Sequence, residues 1–345
     1  MERFTRGVSW AVLAGRITTI ALALSLIAWR ATDVEERRAT GSLPAHVAAA
    51  FDEMAACHVS PTGEHLIFDR RAHAVYTIAK GAEAPKRIVQ IGSETGRIIR
   101  PTAFDSAPDG SFVVADAPGD QQRVQFFSPT GATLGGFTMP GRGVPQITLG
   151  DLVLSGLATL EYTGQTVLIS QPELGSLVIE YLPTGTPLRT FGELRLTGQE
   201  KDPQVHAALN VGISLLIPKG GYYFVFLSGV PLFRKYDAAG QLVFERHIEG
   251  LELDAYIGRL PTTWPRKRGE IPIVPAAVRT AAVDPDGNLW ISLAAPYTYV
   301  YDSSGDKRHT LQFRSAGIIS PTSLFFTRDR RVLVTPGCYA FDASR

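Results

Sequence analysis

The chain has 345 residues, with 34 lysines and arginines against 33 aspartates and glutamates. A net charge of +1 excludes the basic footprint of a nucleic-acid binder. The 33 glycines and 23 prolines, with only 19% charged residues, fit an all-β chain rich in turns.

In chain order, Met1 to Trp29 stands apart. Arg3, Arg6 and Arg16 precede an apolar run from Ile17 to Trp29, and the wider window from Val8 to Trp29 contains Arg16. A spanning helix needs about 20 apolar residues, which this window supplies at the expense of one internal charge. A cleaved export signal has a similar layout, but no small-residue cleavage site follows the run and no cysteine follows it to accept lipid. Residues 1–30 therefore read as an uncleaved membrane anchor, with a cleaved signal and a membrane-surface helix as the alternatives. Both leading readings place the rest of the chain outside the cytoplasm. Residues 31–44, with the charged cluster Val34 to Arg38, read as a polar linker, either a solvated stalk or a short helix.

From residue 45 onward one pattern recurs six times: an apolar strand, a polar gap, a second apolar strand and a turn glycine. The copies are Cys57–Gly92, Arg100–Pro140, about Leu157–Gly192, about Gly212–Gly250, Thr280–Phe313, and a last one starting at Pro321. Their turns include Ser60 to Gly63, Ala107 to Gly110, Pro183 to Gly185, Asp237 to Gly240 and Asp284 to Gly287. Glycine supplies the positive φ of tight turns, while Pro and Asp favour their first positions. The intervening stretches are β-branched and aromatic, as in Ser111 to Asp116 and Tyr222 to Phe226. A small sheet of this kind cannot bury both faces alone, so copies must stack around an axis. The expected fold is an all-β, six-bladed propeller of four-stranded antiparallel blades over residues 45–345, preceded by an N-terminal hydrophobic helix.

The second copy carries Asp105, Asp109, Gly110, Val113, Val114, Asp116, Arg123, Val124, Phe126 and Gly131. The fifth carries Asp284, Asp286, Gly287, Trp290, Tyr301, Asp302 and Gly305. In these positions the chain resembles the NHL-repeat and related six-bladed propeller families, from about Cys57 to the C-terminus. The resemblance implies architecture and leaves activity open.

The last copy ends at Arg345 without an outer strand. Residues 45 to 54 are the expected donors of that strand, with a three-stranded last blade as the alternative. The two cysteines, Cys57 and Cys338, fall in the first and last copies. They form either a staple across the closed ring or two buried thiols.

Three long inserts occupy equivalent places between copies: Gly141–Gly156, Glu193–Val211 and Gly250–Arg279, the last containing Trp264 and the basic stretch Pro265 to Arg268. They should project from one face of the ring, as should the gaps between second and third strands. Those gaps hold Arg70 and His73 in copy one, Asp116 and Arg123 in copy two, and Glu173 in copy three. Arg70, His73, Asp116, Arg123, Glu173 and Trp264 are thus the candidate ligand-binding residues, against the plainer reading of solvated turns and decoration.

Catalytic signals are weaker. Propeller relatives include calcium- or zinc-dependent lactonases and lyases, whose ligands come from several blades. The seven histidines show no i, i+2 or i, i+4 pairing, and no G-x-S-x-G elbow is present. Asp105 and Asp284 read as turn carboxylates bonded to backbone. No catalytic residue, metal ligand or cofactor is assigned. The expected function is a membrane-tethered or exported module that binds a protein or small-molecule ligand through its long-loop face; the alternative is a metal-dependent lactonase- or lyase-like enzyme.

Overall fold

The computed structural model describes residues 34–139, 146–149, 152–154, 159–267 and 270–344. The expected N-terminal hydrophobic helix lies outside them, and no helix among the described residues is long and apolar enough to cross a membrane.

The six copies form six sheets, each running outward from a common axis in chain order. A strand β1 (Val34–Arg38) precedes the ring. Blade 1 holds β2 (Met54–Val59), β3 (His65–Asp69), β4 (Ala74–Ile78) and β5 (Lys86–Val89). Blade 2 holds β6 (Ala103–Ser106), β7 (Phe112–Asp116), β8 (Gln122–Phe127) and β9 (Thr133–Met139). The connection onward carries β10 (Gln146–Leu149) and β11 (Leu152–Leu154). Blade 3 is β12 (Leu160–Tyr162), β13 (Val167–Gln171), β14 (Ser176–Tyr181) and β15 (Pro187–Phe191). Blade 4 is β16 (Gly212–Leu216), β17 (Tyr222–Phe226), β18 (Leu232–Tyr236) and β19 (Leu242–His247). After β20 (Ile273–Pro275), blade 5 is β21 (Val278–Val283), β22 (Leu289–Leu293), β23 (Thr298–Tyr301) and β24 (Lys307–Arg314), with β25 (Ile318–Ile319) folded back on β24. Blade 6 has three strands, β26 (Ser323–Phe326), β27 (Arg331–Thr335) and β28 (Tyr339–Asp342).

Apolar packing follows the ring. One buried cluster fills each junction between neighbouring blades, and the sixth joins Leu333, Cys338 and Ala340 of blade 6 to Met54, Ile67 and Tyr76 of blade 1. Burial at about 25 cal/mol per Å² is what stacks sheets that are greasy on both faces. The rim repeats a second contact. In blades 2 to 5 the glycine of the third-to-fourth-strand turn sits at positive φ and abuts the outer strand of the preceding blade. Gly131 meets Ile88, Gly185 meets Phe137, Gly240 meets Phe191 and Gly305 meets Phe244. A Cβ on Gly185 would lie 2.6 Å from Phe137 Cβ, so these turns exclude side chains for two reasons at once.

Closure differs from the sequence expectation. Residues 45–48 form a helical turn, α1 (Ala45–Ala48), whose Val47 packs into the blade 6–blade 1 cluster. The outer position of blade 6 is taken by a single bridge from Gly41 to Ala340, with Thr40 N donating to Ala340 O (2.8 Å) and Ala340 N to Gly41 O (2.8 Å). Just upstream, the charged cluster read as linker pairs in parallel with β24 as a fifth strand of blade 5. Glu35 meets His309 and Glu36 meets Arg314 there. With no apolar alternation of its own, β1 owes its conformation to the edge it covers. Cys57 and Cys338 are joined as a disulfide with Cα atoms 5.7 Å apart, so the staple is the arm realised.

The three inserts converge, as expected from their equivalent positions. β10 pairs with β11 and, in parallel, with β20. Helix α2 (Pro203–Asn210) starts at Asp202, which caps Val205 N, with Pro203 in the first turn. Its Val205, Ala208 and Leu209 pack on Val274 of β20 and on Trp264. A further helix, α3 (Leu251–Ile257), buries Leu253 in the blade 4–blade 5 cluster. The inserts thus form a cap with its own small core over the ends where inner strands begin.

Candidate functional site in the central channel

The first strand of every blade borders one channel of about 720 Å³. Strand pairing fixes which residues share a level. Val59, Ser106, Tyr162, Leu216, Val283 and Phe326 are the last inner-strand residues and pair with the first residues of the second strands, or in blade 6 with the second residue, Val332. One step earlier lies an equivalent layer: His58, Asp105, Glu161, Leu215, Ala282 and Phe325. All six line the channel, at the end opposite the cap. Blades 1 to 3 contribute an imidazole and two carboxyls; blades 4 to 6 contribute an aliphatic, a methyl and a phenyl group.

The polar half is built by one contact made three times. His58 Nδ1 lies 2.6 Å from Ser106 Oγ. Asp105 Oδ2 accepts from Tyr162 N (2.7 Å). Glu161 Oε1 accepts from Leu216 N (2.9 Å). Each side chain therefore grips the next blade at the same register position. His58 is also stacked on Phe325 at 4.2 Å and edge-on to Phe104 at 5.2 Å.

Electrostatics follow from enclosure. Burial pushes the His58 imidazole down to about 3, so the ring is neutral. Burial pushes the Asp105 carboxyl up to about 7, against the pull of the Tyr162 and Ser106 amides. Glu161 is driven well above the usual carboxylate range by burial and by the neighbouring Asp105 charge, against the Leu216 amide. Two carboxyls that repel in a low dielectric resist being ionised together, so the pair keeps a proton to higher pH than a free carboxyl would. The cations lining the channel sit toward the cap end and are engaged: Arg70 pairs with Glu53, and Arg279 lies 3.3 Å from Ala294 O. Among the described residues no three His, Cys, Asp or Glu side chains converge closely enough to hold a metal ion.

The six residues singled out from sequence are placed as follows. Arg70 lines the channel in its pair with Glu53. His73 occupies the β3–β4 turn at φ 49°, its Nδ1 buried without a partner. Asp116 and Arg123 come together as a bidentate pair (2.9 and 2.6 Å). Asp116 also accepts from Ile99 N, and Arg123 donates to Ser93 O and Arg97 O, so the pair fastens the blade 1–blade 2 connection. Glu173 lies in the single 3₁₀ turn between β13 and β14. Trp264 packs against the cap core, its Nε1 buried without a partner. The structure therefore unites Asp116 with Arg123 and leaves the other four apart.

Asp105 and Asp284, paired in the sequence reading, separate. Asp284 caps its own turn through Asp286 N and Asn288 N and accepts from Trp290 Nε1 (3.0 Å). Asp105 serves no turn of its own. Counting back from the turn glycines exposes the difference: Asp105 lies five residues before Gly110, and Asp284 three before Gly287.

No protein-family model matches the chain, and no curated protein matches it. Solved structures do resemble it. A streptogramin B lyase structure aligns over 83% of this chain and 76% of its own, at 14% identity and TM-score 0.51. A protein of unknown function from Bacteroides caccae aligns over 75% and 81%, at 14% identity and TM-score 0.46. The virginiamycin B lyase of Staphylococcus aureus aligns over 83% and 78%, at 11% identity and TM-score 0.46. Together with the blade count, the first of these likenesses defines the class: a six-bladed, all-β propeller. At such identities the likeness is one of fold, and the NHL-repeat family is not shown by it.

Proposed function

We propose that the protein is a ligand-binding propeller that works outside the cytoplasm and takes a small molecule into its central channel. The observation that carries this reading is the split layer, polar on three consecutive blades and apolar on the other three, within a cavity of drug-sized volume. Export is supported by the disulfide between the first and last blades, which suits an oxidising compartment, and by the basic-then-apolar N-terminal sequence. Membrane tethering through residues 1–30 belongs to the same proposal. The capped face remains a surface for protein contacts, while its inserts are occupied in packing on one another.

Turnover of the bound molecule is the second reading. It is favoured by Asp105, a carboxyl poised near neutrality in a cavity, which is the property that general acid–base chemistry uses. The similar streptogramin B lyase is an enzyme by name, and a lyase-like reaction belongs to this second reading.

The test is fragment binding to the full chain, read by NMR of leucine and alanine methyl groups. Fragments are expected to shift Leu215, Ala282 and Leu324 methyls together. A library whose hits move only rim or cap methyls overturns the channel reading.

A further inference from the structure

We propose that the polar half of the channel layer recognises a small organic cation, an amidine or amine with a flat apolar body. This inference rests on the channel reading above. Three observations lead to it. First, Asp105 and Glu161 stand on adjacent inner strands, and their described hydrogen bonds use one oxygen each, Oδ2 and Oε1. Both residues line the channel, and no further side-chain partner of either carboxyl is described. Second, among the described residues no cation pairs with either of them. Glu53, Arg70 and Arg279 are the remaining charged residues on the channel wall, and they lie toward its cap end. At the turn end, Asp109 is engaged by Ser111, and Arg328 reaches from the turn after β26 to Pro108 O (3.3 Å). On the strand behind, Asp116 is spent on Arg123. Third, His58 is 6% exposed, and its Nε2 has no protein partner while the ring lines the channel. An imidazole nitrogen without a protein partner, on a ring that shares the channel layer with two carboxyls, is a polar group awaiting one.

The shape of the site selects among cations. His58, Asp105 and Glu161 do not close to metal-bonding distances, so their polar atoms spread along an arc of the channel wall. A planar cation with several N–H donors suits such an arc, since a forked donor meets a carboxylate on two sides. Its apolar body then faces Leu215, Ala282 and Phe325, the last already stacked on His58. Binding replaces the proton held by the carboxyl pair, because an opposite charge within a few ångströms favours the ionised form. The proton leaves to solvent, and charge balances.

Benzamidine and its neutral twin benzamide test this in the intact chain. Benzamidine, cationic throughout the range, should bind more tightly as pH rises from 5 to 8, by up to about tenfold per unit below the pair's titration. Calorimetry in buffers of different ionisation enthalpy should show proton release on binding. Benzamide should lack both effects. Asp105→Asn and Glu161→Gln keep an acceptor oxygen for the inter-blade amides, and together should weaken benzamidine at least tenfold while leaving benzamide unchanged. Benzamidine affinity that is flat with pH, or unaltered in that double variant, overturns cation recognition. If benzamide and other neutral fragments still move the channel methyls, the channel reading survives that failure; if nothing moves them, both fall.

Discussion

The disulfide gives the sharpest test of how this ring is held together. Cys57 and Cys338 are 281 residues apart in sequence, and the loop they close contains nearly the whole propeller. In the chain-entropy treatment a loop of that length costs the unfolded state about 19 cal/mol/K, or about 5–6 kcal/mol at 25 °C. Spread over the unit Val34–Arg345, with unfolding entropy near 2.1 cal/mol/K per residue, that is a loss of about 8–9 °C in Tm. The native state should hardly notice the reduction, because both sulfurs are buried among Ile67, Tyr76 and Leu333, where thiols behave as small apolar groups. Urea unfolding of oxidised protein, reduced protein and the Cys57→Ala/Cys338→Ala variant separates the contributions. Reduced protein and the double variant should agree to within about 1–2 kcal/mol, the difference being the small voids left by two sulfurs. Both should fall several kcal/mol below the oxidised form. If oxidised and reduced proteins unfold within about 1 kcal/mol of each other, the bridge is not constraining the unfolded chain, and the closure argument fails.

Three further outcomes follow from the packing. Asp105 binds its proton more tightly folded than unfolded, so it lowers stability as pH rises from about 4 to about 7; the unfolding free energy of Asp105→Asn minus wild type should grow across that window and level off above it, as seen in denaturant titrations at each pH. Gly185→Ala should lose about 1–3 kcal/mol, since it adds a methyl against Phe137 at a positive φ, whereas Gly175→Ala, also at positive φ but with nothing near its Cβ, should lose less in the same melts. Removing residues 34–41 strips the fifth strand from blade 5 and the bridge from blade 6; light scattering should then show self-association through the bared β24 edge, and a strictly monomeric, unaltered truncation would refute the strap's role.

The ring was legible because its signals are local and repeated. Each turn needs positive φ, so glycine returns at fixed places, and the second strand of each blade is buried on both faces, so apolar residues run together there. The convergence of the three inserts followed from counting blades, which also put the two cysteines in adjoining blades and left the structure to show their bond. Two features escaped for the same reason: β1 and the Gly41 bridge exist through pairing with strands about 280–300 residues away, and nothing in Val34 to Arg38 alternates to announce a strand.

The channel layer escaped through a fault of register. Five residues before the fourth turn position lie His58, Asp105, Leu215, Ala282 and Phe325, a regular offset that chemistry disguises because no two are alike. Blade 3 breaks the count, since its turn is one residue shorter and its glycine, Gly164, comes early, so Glu161 aligns only once Tyr162 is paired with Val167. In blade 6 the place of the turn glycine is held by Arg330 at φ 59°. A repeat conserves what stacking requires and is indifferent to what faces the axis, because an axial side chain borders the cavity and is not fixed by the packing between sheets. Asp105 and Glu161 show the consequence. One oxygen of each clamps the next inner strand, a service a neutral amide would perform without the cost of a buried charge. Carboxyls in those places, raised above the usual carboxylate range beside the channel, are what the proposed cation would exploit.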